Sequence, residues 1–515
     1  MNREPFSKID VSISAAILLL ILSAMATAVE STKKAESWVD RDRFPEAYSI
    51  LTSDHIMFPG DVSDWPMKID SKRQLFIDDY MIGSMENLTR RFHQSAKYPG
   101  NPIMPGHPVA VMYDEKNKKF RMWYNMNYAE STDGTKWTKP NLGPEGNRVF
   151  SGPGEVRGFM YHPDAASPQR RYEAVLEKRA NERINEKGGF YAYHSADGLH
   201  WKQESERPIL RRTYSHMNPG PFWAKGVGDT CIFRYDPVLK TYICDTKFNL
   251  YLPEEKIKQL GIVKELKPRL RLRAFMESDD LIHWSRERFL MFPDRHDPPD
   301  RQFYGHIGFV YESMWVGMIR TLCVIPKGFK QVDIQLSYSR DGRHWSRPGE
   351  RTPLIPLGPD DSWEADYLGP TKIGPVVVGN ELWFYYFGAR NADRKDVENW
   401  SFAIGLAKLR RDGFASLNAE QTPGQIITRP MTFKGKKLFV NAEVAENGWV
   451  KTAVLTRDSS SIESYTLDDS VALTKDTTKG RMSWKSKKEL VPPGDEHLRL
   501  VFQLKNAKLY SFWIE

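Results

Sequence analysis

Along most of the chain, apolar residues alternate with polar ones in short runs, and each run turns back into a second run rich in aromatics. Val111 to Tyr124 is the first such pair, reversing across Asp114-Glu-Lys-Asn-Lys118. Phe159 to Asp164 with Tyr172 to Leu176 is the second, and Cys231 to Cys244, broken at Asp236-Pro237-Val238, is the third. Phe309 to Met318 and Val376 to Tyr386 complete a series of five. Period-two alternation bounded by turn residues is a hairpin signature. Helix is expected to be scarce.

Between these hairpins one turn recurs. Ser131-Thr-Asp-Gly-Thr-Lys-Trp137, Ser195-Ala-Asp-Gly-Leu-His-Trp201 and Ser339-Arg-Asp-Gly-Arg-His-Trp345 share a Ser-x-Asp-Gly-x-x-Trp pattern. Ser278-Asp-Asp-Leu-Ile-His-Trp284 keeps Ser, Asp and Trp, with Asp280 read in place of the glycine. Arg411-Asp412-Gly413-Phe414 is a faint fifth copy. The copies recur at intervals of roughly 60 to 80 residues, as repeated supersecondary units do. Asp caps its own backbone two residues on, and Gly takes a positive φ without steric cost. These turns are structural, so Asp133, Asp197, Asp279 and Asp341 are set aside as catalytic candidates.

Five units of about four strands that share one motif predict an all-β chain: a five-bladed β-propeller over 66–417, followed by a C-terminal β-sandwich over 418–515. The blades are expected at 96–140, 141–212, 213–297, 298–357 and 358–417, with a short helix in the insertion from Leu252 to Leu270. Residues 29–65 read as a linker or wrapping segment. Residues 1–28 read as a secretory signal: Arg3 and Lys8 precede the apolar run Ile13 to Leu22, and Ala26-Thr-Ala28 offers a cleavage site. A secreted or periplasmic protein is therefore expected, with no stable membrane insertion after cleavage.

Composition changes this picture little. Of 515 residues, 40% are hydrophobic and 27% charged, as in ordinary globular proteins, and the length calls for more than one domain. Aromatics reach 12%, with 15 Trp and 22 Tyr, which suits large inter-sheet contacts and also stacking on sugar rings. A net charge of +8 without long basic runs argues against nucleic acid but is compatible with an anionic polysaccharide. Cys231, Cys244 and Cys323 give neither a disulfide scaffold nor a metal-ligand spacing, although the first two could face each other across a hairpin. No metal or cofactor is expected, since no phosphate-binding loop, dinucleotide fingerprint, zinc signature or nucleophile elbow occurs. Oligomeric state is not encoded legibly.

The repeated turns, the leading signal and the sandwich-like tail together resemble glycoside hydrolase families 32 and 43, and more closely the family-32-like proteins of planctomycete-type bacteria. Arg73-Gln-Leu-Phe-Ile-Asp-Asp-Tyr80, His93-Gln94, Asn101-Pro102 and Lys508-Leu-Tyr-Ser-Phe512 carry that resemblance over about residues 66–515. It implies a propeller with a carbohydrate substrate. The Trp-Met-Asn-Asp-Pro-Asn-Gly, Arg-Asp-Pro and Glu-Cys motifs of family 32 are absent, so no catalytic residue transfers by match. The sialidase Asp-box also resembles the repeat, but its glycine stands one position later.

Glycoside hydrolysis needs two carboxyl groups about the scissile bond. Innermost strands of a propeller face the channel, so acids beginning each blade are the candidates. Asp229, in Gly-Val-Gly-Asp229-Thr, opens the third blade and is either a channel acid or a turn acid. Glu312 sits in an apolar run, where a carboxylate is costly unless paired or functional, or else it faces solvent. Trp363-Glu364-Ala-Asp366-Tyr opens the fifth blade with two acids on one face beside aromatics, and an edge strand explains it nearly as well. Asp79, after an apolar run, could hold a hydroxyl or close a turn. Tyr304 and His306 are candidates for substrate positioning, together with Trp363 and Asp366. The leading expectation is a glycoside hydrolase with its carboxylate pair in the channel. A non-catalytic carbohydrate-binding propeller is the alternative, and a glycoside phosphorylase a third that the signal segment disfavours.

Overall fold

The computed structural model describes residues 66–515 apart from 179–187, 212–226, 229, 252–254, 256–268, 299–300, 325–329, 391–400, 492–493 and 495. The described chain is nearly all β, and its 3-10 turn at Pro168–Arg170 spans three residues. The expected signal, the expected linker and most of the insertion in which a helix is expected lie outside these residues.

The hairpins expected from alternation form five successive antiparallel groups. The first is Pro108–Asp114, Lys119–Tyr124 and Asn127–Ser131. The second is Glu155–Tyr161, Tyr172–Lys178 and Gly189–Ser195, edged by Lys202–Gln203 and Leu210–Arg211. The third runs Ile232–Asp236, Thr241–Tyr251, Arg269–Ser278 and Arg288–Met291. The fourth runs Gln302–Tyr311, Met314–Val324, Lys330–Ser339 and Pro353–Ile355. The fifth contains Tyr367–Pro370, Glu381–Ala389 and Phe402–Arg410, and its outer edge is supplied by Ala96–Lys97 and Met104–Pro105 from the start of the described chain. Parallel contacts Gly158↔Phe233 and Val332↔Tyr367 join the second group to the third and the fourth to the fifth. A Cβ on Gly158 would lie 2.6 Å from the Phe233 Cβ, so a side chain there would force these two strands apart.

The repeated turns explain how neighbouring groups meet. In the first, Ser131 Oγ accepts from Gly134 N at 2.8 Å, while Asp133 Oδ1 accepts from Thr135 N and Lys136 N at 2.7 and 2.8 Å. Those bonds to the ionised form hold the Asp133 carboxyl down at about 2, with the Lys136 amide the largest cause. In the copy at Ser278 the capping acid is Asp280, not Asp279: its Oδ1 accepts from Ile282 N and His283 N at 2.9 and 2.7 Å. Leu281 therefore stands in the glycine position with φ +67°, and its buried side chain compensates by joining the core of Met160, Val175 and Phe190. Each turn docks on the group before it. Gly198 O accepts from Trp123 Nε1 at 2.6 Å, and Arg343 Nε donates to Glu277 Oε1 at 2.7 Å. Asp412 Oδ1 accepts from Tyr311 OH at 2.7 Å. The first turn meets the fifth group, where Tyr385 OH donates to Gly134 O at 2.8 Å, so the order of docking is cyclic.

A separate eight-stranded sheet holds the C-terminal residues. Its long strands Leu438–Leu455 and Arg499–Ile514 run antiparallel, with register breaks between Asn441 and Ala442 and between Val444 and Trp449 that bend them around their own core. Gln74–Leu75, Ile82–Glu86 and Thr89–Phe92 pair within this sheet, as does Ala415–Ala419, whereas the expected propeller span of 66–417 took in the first three and part of the fourth. Burial is the reason: Phe76, Met81 and Ile82 enter the C-terminal core, and Phe76 meets Phe512 at 5.8 Å between ring centroids. Cys231 and Cys244 are buried free thiols, and the register places Cys244 opposite Phe233.

Candidate functional site

The first strands of the five groups converge on a cavity of about 680 Å³. Each group contributes. Val109 and His107 come from the first, and Glu155, Arg157 and Glu177 from the second. Thr230 precedes the third, Tyr304 and Arg320 belong to the fourth, and Tyr367, Lys372 and Phe387 to the fifth.

Glu155 and Glu177 are direct cross-strand partners, so both side chains leave the same face of the second group. Arg157 is the extra residue at a register break between Val156 and Gly158, and its side chain reaches both acids. Its Nη2 lies 2.8 Å from Glu155 Oε2 and 2.6 Å from Glu177 Oε2, and its Nε donates to Glu177 Oε2 at 2.7 Å. The two carboxylate oxygens are therefore separated by no more than those two contacts laid end to end. Glu155 is 56% exposed at its side chain and Glu177 only 4%, so one acid is free to move and the other is fixed.

The opposite wall is aromatic and basic. Tyr304 and Tyr367 meet edge to face at 5.9 Å, with the Arg320 guanidinium 5.0 and 4.8 Å from their ring centres. Arg320 Nε donates to Leu368 O at 2.9 Å, and its enclosed Nη2 has no hydrogen-bond partner. Burial lowers the Lys372 amine to about 8, assisted by Arg157 and Arg320 and opposed by Glu155. His107, against Phe387 and Phe402 at 4.4 and 4.1 Å, is lowered to about 4 by burial above all, and is neutral at pH 7.

Of the residues singled out from sequence, Tyr304 lines this cavity. Asp229 lies outside the described residues, and its neighbour Thr230 is at the cavity wall. The others lie elsewhere. Glu312 occupies the hairpin bend after Gln302–Tyr311 with φ +52°, and faces Arg73 N at 3.2 Å and Arg411 Nη2 at 3.4 Å. Its run is interrupted by a turn, which is why an acid is tolerated there. Glu364 is buried between Lys97 Nζ at 2.9 Å and Tyr386 OH at 2.7 Å, with Trp363 stacked on Tyr386. Asp366 is fully buried, its backbone carbonyl accepting from Val332 N at 2.7 Å. Asp79 pairs with Arg90 beside the C-terminal sheet. His306 is enclosed, with Nδ1 3.0 Å from Asp245 Oδ2 and Nε2 3.0 Å from Ser337 Oγ, so both ring nitrogens are occupied.

Glu155, Glu177, Arg157 and Lys372 were not singled out from sequence. The available signal was Glu155-Val-Arg157, two charges at alternate positions where a repeat begins. Glu177 stands one residue past the apolar run Ala174 to Leu176. Among the described residues no group of three or more His, Cys, Asp or Glu could hold a metal ion, and no helix is long and apolar enough to cross a membrane.

No family model matches this chain, and no curated protein matches it. Solved structures do. A glycoside hydrolase is 12% identical over 64% of this chain and 92% of its own, with a TM-score of 0.40. An N-acetylgalactosamine deacetylase from F. plautii is 13% identical over 64% and 96%, at 0.39. A family 32 β-fructofuranosidase from Bombyx mori is 10% identical over 82% and 94%, at 0.35.

Proposed function

We propose that the five groups are the blades of a closed propeller, that the bent C-terminal sheet is a β-sandwich against it, and that the axial pit is the active site of a glycoside hydrolase. Cyclic docking of the turns, with the first seated on the fifth group, supports closure. The observation that carries the functional reading is the Glu155–Glu177 pair, set across two strands in a pit with aromatic walls. Glu177, fixed by Arg157, suits the ionised partner that stabilises a cationic transition state. The proton donor is drawn from Glu155, exposed enough to leave Arg157, and Asp229, beside the wall residue Thr230. The oxygen separation that Arg157 imposes falls at or below the roughly 5–5.5 Å that goes with retention of configuration. The N-terminal signal-like segment supports a secreted or periplasmic setting for this activity.

A non-catalytic carbohydrate-binding propeller is favoured by one observation. Arg157 is ion-paired with both acids, an arrangement that suits a recognition network better than an acid–base couple. Release of reducing ends from oligosaccharides by wild type, Glu155→Gln and Glu177→Gln decides. Hydrolysis predicts turnover in wild type that falls about 10²–10⁴-fold in the variants while sugar affinity persists. Sugar binding without turnover in wild type would sink the hydrolase reading.

A further inference from the structure

The pit carries more cationic charge than its own acids neutralise. Both carboxylates that line it among the described residues, Glu155 and Glu177, are held by Arg157. Arg320 and Lys372 face the same space with no carboxylate within ion-pair distance among the described residues. Arg320 uses Nε on a backbone carbonyl and leaves Nη2 without a partner. Enclosed cations without counter-charges are costly, and native structures rarely leave such donors unmet without a ligand, water or ion to meet them.

We propose that the pit takes a sugar bearing a negatively charged substituent, a uronate carboxylate or a sulfate ester, seated against Lys372 and Arg320. This rests on the pit being the saccharide site. The geometry suits such a ligand: Tyr304 and Tyr367 present aromatic surface to a pyranose ring beside the guanidinium. An oxyanion there gains charge-assisted hydrogen bonds in a site already partly desolvated. It also adds a second counter-charge beside Glu155 to Lys372, which burial, Arg157 and Arg320 disfavour in its charged form. The chain's net charge of +8 favours approach of an acidic polysaccharide.

The test is calorimetric titration of the full chain with matched probes: glucuronate against glucose, galacturonate against galactose, and inorganic sulfate alone. Wild type is expected to bind the acidic member of at least one pair about tenfold more tightly. Lys372→Met should abolish that preference, and Lys372→Arg should restore it. Equal affinity within both pairs, or a preference that survives Lys372→Met, overturns the proposal. So does sulfate that binds as tightly as the acidic sugars, since the cations would then hold a free anion. Acidic preference without turnover leaves this inference standing and removes only the hydrolase reading. Turnover without acidic preference does the reverse, and absence of any sugar binding removes both.

Discussion

Arg73 and Asp412 form a buried ion pair that ties the C-terminal sheet to the last repeated turn, with Nη1 and Oδ2 2.7 Å apart and Asp412 fully enclosed. Asp412 Oδ2 also accepts from Asn441 Nδ2 at 3.0 Å and Ser511 Oγ at 2.6 Å, and Oδ1 from Tyr311 OH at 2.7 Å. Arg73 lies over the Trp513 ring at 3.8 Å. Three strands, the residue that precedes a fourth, and a turn thus meet on one carboxylate. Asp412→Ala leaves a buried guanidinium and several donors unmet, and should cost about 3–5 kcal/mol in urea unfolding. A loss below about 1 kcal/mol would show that the junction is held by its apolar contacts instead.

Leu281 makes a sharper test of the turns. Replacing it with glycine creates the sequence of the other copies and removes left-handed strain of about 1–2 kcal/mol. It also removes a buried leucine side chain, worth about 2–5 kcal/mol in a core that does not collapse. The second effect wins, so Leu281→Gly should lower the thermal midpoint. A raised midpoint would mean that backbone strain governs this turn.

Much of the architecture could be read from the chain because its signals are local. Alternation marked the hairpins, and Ser, Asp and Trp at fixed spacing marked the turns. The reading failed where partners are remote. Nothing near Gln74 or Ile82 announces that their strands pair with residues beyond 420, since burial alone selects that sheet. Glu155 and Glu177 become a pair only through cross-strand register. Glu364 and Glu312 were channel candidates by sequence context, yet Lys97, Tyr386, Arg73 and Arg411, distant from them in the chain, engage them.

The depressed Lys372 amine fixes a pH dependence. Glu155, Arg157, Arg320 and His107 surround it, and His107 is already neutral well below this range. The amine loses its proton as pH rises through about 8, so acidic-sugar affinity should fall there, whereas Lys372→Met shows no such step. Between about 8 and the unfolded value of 10.5 the unfolded chain binds more protons, so stability without ligand should rise with pH across that window. Urea midpoints that are flat in wild type and Lys372→Met alike would contradict this account.

Glu177→Gln keeps the shape of the fixed acid and removes its charge, leaving Arg157 with Glu155 alone. If Glu177 stabilises a developing cation, kcat should fall with KM little changed. An equal rise in KM with kcat preserved would assign Glu177 to substrate binding.

The most direct measurement is a crystal structure of Glu177→Gln soaked with an oligosaccharide that wild type binds. The account predicts a sugar in the axial pit, its ring against Tyr304 and Tyr367 and its glycosidic oxygen within hydrogen-bonding reach of Glu155 or Asp229. Sugar bound on another face, with the pit filled by water alone, would contradict it.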